Sequence, residues 1–174
     1  MRQTVGDMVR SMAVVLGVVV VVMLLAWRPD PEPITVVDVT PAVTRAAAGA
    51  DFGVRAPMGL PDGWRPTSAR WEPTARSGDE PVLHVGYVTP ADQYAQVSQS
   101  AARTAAYLDE QTAGGEPAGQ LLVQGVVWER FENAERRSLV LADEASLTVV
   151  SGSAGWTELA SLAGSLEPAE VPAS

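Results

Sequence analysis

The sequence predicts an α+β protein: an N-terminal transmembrane helix, then one domain whose antiparallel sheet is covered on one face by two helices. Three patterns predict it. An apolar run extends from Met8 to Trp27 with Arg10 as its one charge. Apolar and polar residues alternate through Val82–Thr89 and much of the C-terminal third, the period of a half-buried strand. Apolar residues also recur at three- and four-residue steps, at Tyr94, Val97, Ala101, Ala105 and Leu108 and again at Trp156, Leu159, Ala160, Ala163 and Leu166, the stripe of an amphipathic helix.

A helix over residues 8–27 reaches about 30 Å, the thickness of a hydrocarbon core. Inside lipid a helix satisfies its own backbone groups, and Trp27 closes the run where interfacial aromatics belong. The rival reading, a cleaved signal peptide, needs small residues before the cut, whereas Met23, Leu24, Leu25, Ala26 and Trp27 are mostly large. Arg2, Arg10 and the amino terminus outweigh Asp7 on the short side, while Arg28 stands beside Asp30 and Glu32. The positive-inside rule then sets residues 1–7 in the cytoplasm and the domain outside the membrane. "RPDPEP" over residues 28–33 reads as a short stiff stalk, because alternate prolines hold the chain extended.

The extracytoplasmic domain is expected over residues 34–168, with 169–174 a disordered tail. Ile34 to Val39 is β-prone. Thr40 and Pro41 suit a helix start, with the turn ending near Gly49. Short strands are expected at Phe52 to Ala56 and Trp64 to Trp71, and a clear one at Val82 to Thr89. Thr89, Pro90 and Asp92 then suit the start of a long helix carrying the first apolar stripe. "GQLLVQGVVWERF" gives one or two strands broken near Gly125, and "RRSLVLA" and "ASLTVVSG" continue an antiparallel meander. In that meander Leu139 and Leu141 are expected to share a buried face with Leu147 and Val149. The second apolar stripe is a closing helix, capped by Ser151 or Ser153.

Composition limits the chemistry. The 174 residues include no cysteine and one histidine, His84, which excludes thiolate metal sites, cysteine nucleophiles and multi-histidine centres. A net charge of −9 argues against nucleic acid as a partner. No cofactor is implied. "SGSAG" at Ser151 to Gly155 misplaces the serine for a nucleophile elbow, and neither a phosphate loop nor a zinc helix is written anywhere. His84, with Asp79 or Glu80 to orient it, is the one candidate general base. The acidic pairs Asp79–Glu80, Asp109–Glu110 and Asp143–Glu144 fall at turns and helix ends, without the facing geometry a glycosidase needs. Trp64 and Trp71, next to Arg65 and Arg70, form with His84 a possible binding surface; core packing is the alternative for either indole. Arg136 and Arg137 suit ion pairs with acidic turns or contact with phosphate-bearing polymers.

Several of these stretches recur together in a known family. "GLPDGWRPTSAR" (Gly59 to Arg70), "VGYVTPADQYAQVSQS" (Val85 to Ser100), "VVWERF" with "RRSLVL", and "VVSGSAGWTELASLAGSL" follow the N-terminal anchor in order. In this the chain resembles the actinobacterial membrane-anchored proteins grouped as domain of unknown function 4245. The resemblance implies a single-pass envelope protein and supplies no catalytic residues. Phe52 to Trp64 more loosely resembles the opening of Mog1/PsbP-like domains. The expectation is an anchored, non-enzymatic interaction module whose partners are the bilayer, through residues 8–27, and an envelope protein or wall polymer. The alternatives are an enzyme acting on wall material and a carrier of an apolar ligand.

Overall fold

The structure, a computed structural model, describes the backbone of residues 5–26, 35–73 and 80–169, and their side chains except at 5–7, 11 and 24–26. The chain forms two units, Met1–Ile34 and Thr35–Ser174. In the first, α1 (Val5–Ala26) is helical throughout. The expected transmembrane helix meets a limit here: among the described residues, no helix is long and apolar enough to cross a membrane. Trp27, the 28–33 stalk, Asp79 and most of the 169–174 tail lie outside the described residues.

The second unit opens with α2 (Thr40–Gly49), whose N-cap is Val39 rather than Thr40, without a side-chain capping bond; Thr40 N donates to Asp38 Oδ1 at 2.9 Å. No strand forms over residues 35–39. Then come β1 (Arg55–Pro57), β2 (Arg65–Glu72), β3 (Val82–Val88), β4 (Tyr94–Ser100), α3 (Ala105–Thr112), β5 (Glu116–Val123), β6 (Val126–Glu132), β7 (Arg137–Ala142), β8 (Leu147–Gly152), α4 (Trp156–Gly164) and β9 (Leu166–Pro168). Seven strands form one antiparallel sheet in the order β2-β3-β4-β8-β7-β6-β5, and β1 pairs separately with β9.

The long helix expected after Thr89 is the main departure from the sequence reading. Thr89, Pro90 and Asp92 instead build the β3–β4 hairpin. Thr89 N donates to Gln93 O, Asp92 N donates to Thr89 O, and Asp92 takes a left-handed φ of 56°. A hydroxyl, a proline and an aspartate suit a tight turn as well as a helix cap. "YAQVSQS" then runs as a central strand, with Ala95 and Val97 inward on one face and Tyr94, Gln96 and Ser98 on the other. Only the last part of the expected helix survives, as α3, capped by Thr104 Oγ1 accepting from Tyr107 N.

The sheet has helices on both faces rather than one. On the front face, α2 lies over β2 and β3, and α4 over β7 and β8. There Ala46, Leu83, Val85, Val97, Leu139, Val150, Leu159 and Leu162 form the main core. On the rear face α3 packs Tyr107 against Val82, Val140, Leu147 and Val149. The β7–β8 register sets Leu139 opposite Val150 and Leu141 opposite Thr148. Leu147 and Val149 therefore face the rear, not the side of Leu139 and Leu141, because a one-residue slip in register exchanges the faces. The β5–β6 hairpin turns at Gln124 and Gly125, φ 48° and 82°, the left-handed pair that two-residue hairpins require.

The small β1–β9 sheet is joined to the large one by a side chain. Gln99, 1% exposed, projects from β4 and pairs with the backbone of Arg55: its Oε1 accepts from Arg55 N at 2.9 Å and its Nε2 donates to Arg55 O at 2.5 Å.

A polar cleft on the rear face

Because α3 is only eight residues long, it covers part of the rear face, against Val82, Val140, Leu147 and Val149. Beside it an open cleft of about 340 Å³ remains. Its floor is the rear-facing set of β2, β3 and β4: Ser68 and Arg70, His84, and Tyr94 with Gln96. Tyr107, Glu110 and Gln111 of α3 form one wall, and Arg136, just before β7, reaches in from another side.

Glycine shapes the floor. A Cβ at Gly86 would stand 2.5 Å from Ser68 Oγ and 2.8 Å from Tyr94 Oη, closer than non-bonded atoms tolerate. Its absence lets the Tyr94 ring lie across the sheet, where Tyr94 Oη donates to Gln96 Oε1 at 2.9 Å. The strand crossing below is tighter still: a Cβ at Gly152 would meet Tyr94 O at 2.0 Å.

The charges are arranged unevenly. Arg70 pairs with Glu72 at 3.2 Å. Two residues apart on one strand, they share the rear face. Among the described residues Arg136 pairs with no carboxylate; its Nη1 donates a long 3.4 Å hydrogen bond to Ser151 Oγ. Its backbone is fixed firmly. Asn133 Oδ1 accepts from Glu135 N and Arg136 N at 2.9 and 2.8 Å, and Asn133 Nδ2 donates to Ala113 O at 2.7 Å, joining the β6–β7 turn to the end of α3. Burial pushes the His84 imidazole below its ordinary range; Glu72 and Glu110 oppose that shift and Arg70 adds to it. The imidazole is therefore neutral near pH 7. Burial pushes the Tyr107 phenol up to about 12, and its Oη lies 2.8 Å from Ser98 Oγ. Among the described residues no group of acidic or histidine side chains is arranged to hold a metal ion.

The five residues expected to form one binding surface divide between locations. Arg70 and His84 share the cleft. Trp71 points to the front, its indole against the end of α2 at Gly49. Trp64 packs edge-on to Tyr87, centroids 6.1 Å apart, on the same front side. Arg65 forms an ion pair with Asp92 of the β3–β4 hairpin. Ser151 and Ser153, expected as caps of the closing helix, do not cap it: Ser151 lies within β8, Ser153 Oγ accepts from Tyr94 N at 3.1 Å, and the N-cap of α4 is Gly155, whose N–H donates to Glu158 Oε2 at 3.4 Å. Tyr94 and Gln96 were hidden in the sequence by the helical reading of their segment. The alternation of Tyr94, Gln96 and Ser98 with Ala95 and Val97 is the signal that marks them.

Comparison with known proteins gives a family and little else. No curated protein matches the chain. Two solved structures are similar at low identity: the complex of Pseudomonas aeruginosa MucA and MucB (15% identity, TM-score 0.42, 67% of this chain and 36% of that one) and a crystal structure of MucB in complex with MucA(peri) (14%, 0.41, 66% and 36%). The chain thus spans about a third of the length of those it matches. A family model, protein of unknown function (DUF4245), matches residues 1–166. With that match covering nearly all of its length, the chain belongs to the DUF4245 family.

Proposed function

We propose that the protein is a single-pass, membrane-anchored binding module of the cell envelope, with its N-terminus inside, its α+β domain outside the cytoplasmic membrane, and no catalytic role. The rear cleft is its binding site. The cleft carries this reading: its walls are polar, it brings Arg70, His84 and Arg136 to one space, and Gly86 leaves room for the Tyr94 ring on its floor. Anchoring is supported by α1, where Val18 to Val22, five successive residues, are all 46–57% exposed. A helix apolar on every side has no aqueous resting place and suits lipid.

The polar lining weighs against a carrier of apolar ligands. An enzyme acting on wall material would need Glu72 and Glu110, or His84 with a hydroxyl, as its acid–base machinery. Glu72 is held by Arg70, which takes one of those carboxylates out of a facing acid–base pair. Photo-crosslinking in the native membrane tests the reading. A photoreactive residue at Gln96 should capture an envelope component, while one at Arg45, exposed on α2, should not. Equal capture at both positions, or loss of function in Glu72→Gln with capture intact, would reject a purely binding role.

A further inference from the structure

Three features of the cleft point to one ligand class. Its volume of about 340 Å³ is at the small end for ligand sites, the size of one or two sugar rings. Its floor carries the aromatic ring of Tyr94 beside the hydroxyl of Ser68 and the amide of Gln96; Gln111 on α3 adds a second amide. Hydroxyl-rich molecules are held by such planar donors and acceptors around an aromatic ring. The third feature is the charge. Arg70 is paired with Glu72 and Glu110 is itself engaged, so among the described residues Arg136 is the cation that lines the cleft without a carboxylate partner.

Arg136 is also pre-set. Asn133 fixes its backbone through two hydrogen bonds and fastens the turn to α3, so binding need not order the loop. It borders a second hollow, under the Asn133–Glu135 turn, that shares Tyr94 with the first. Arg136 and Tyr94 thus line both hollows. A planar guanidinium pairs with a carboxylate or a phosphate through two parallel hydrogen bonds.

We propose that the cleft recognises a saccharide unit carrying one carboxylate or phosphate, with Arg136 seating the oxyanion and Tyr94, Gln96 and Ser68 receiving the ring. This rests on the reading of the cleft as the binding site and names its ligand class. Calorimetric titration of the full chain in detergent tests it, with glucuronate, glucose 6-phosphate, glucose and an acetylated glutamate peptide as probes. One or both anionic sugars should bind about tenfold or more tightly than glucose, the equivalent of one charge-assisted contact, and the tighter of the two identifies the source of the anion. Arg136→Gln should abolish that preference, Arg136→Lys should retain part of it, and Arg45→Gln should leave it unchanged. Equal affinity for glucose and its anionic relatives, no binding of either anionic sugar, tighter binding of the peptide, or an unaltered preference in Arg136→Gln overturns the assignment. If the sugars fail while the Gln96 crosslink still captures a component, the ligand class is wrong and the cleft remains the site.

Discussion

Gly152 and Gly86 are the described glycines at which an added Cβ would stand closest to other atoms, with different consequences. A methyl group at Gly152 would overlap the carbonyl of Tyr94 in the neighbouring strand, and backbone cannot swing aside as a side chain can. Gly152→Ala should cost about 3 kcal/mol, at the upper end of overpacking, measurable by urea unfolding. Gly86→Ala meets only the ends of Ser68 and Tyr94, so it should fold, but with the Tyr94 ring lifted into the cleft and ligand binding weakened. Tyr107→Phe leaves Ser98 Oγ, fully buried, without its partner and should cost about 1–2 kcal/mol. His84 sets a pH dependence. Its folded-state pKa is lowered, chiefly by burial, so the unfolded chain binds the proton more tightly. The stability is then complete above about pH 6.5 and declines as pH falls from there through the folded pKa. Thermal unfolding between pH 5 and pH 7 should show that slope, and His84→Gln should flatten it.

At the scale of elements, Gln99 substitutes for a strand. It satisfies both backbone groups of Arg55 that a neighbouring strand would otherwise bind. Gln99→Leu fits the core by volume yet leaves buried polar groups unpaired; about 2 kcal/mol of stability should be lost, with faster hydrogen exchange at Arg55 and Ala169, whose N–H donates to Val54 O. The elements also show what the sequence made legible. Strands β2, β3 and β5 to β8, and helix α4, were readable because their alternation or stripe agrees with their local turn chemistry. Strand β4 was not. Its polar residues Gln96, Ser98 and Ser100 resemble a solvated helix face until α3 is laid over them, and its turn residues serve a helix start equally well. The cleft was half legible for the same reason: His84 and Arg70 stood on clear strands, whereas Tyr94 and Gln96 lay in the misread segment. The front-facing tryptophans could not be assigned from sequence, since exposed and buried indoles follow the same pattern until the register is known.

At the scale of the whole molecule, the unit that carries the mainly apolar α1 and the cysteine-free α+β domain are separate units whose proposed association with a membrane is testable by extraction. The full chain should stay in the membrane fraction through alkaline carbonate and leave it only with detergent; release by carbonate alone would refute the anchor. Protease added to cells with a permeabilised wall should digest the domain, and full protection would reverse the proposed orientation. The domain itself closes on its own ends. Strand β9, the last described element, pairs Pro168 with Arg55 and Leu166 with Pro57, next to the beginning of the unit. An emerging polypeptide therefore carries β1 without its mate until β9 has been synthesised, so this small sheet cannot close before then. A ribosome stalled before Leu166 would leave that seam open, and a quality-control protease would have its foothold there.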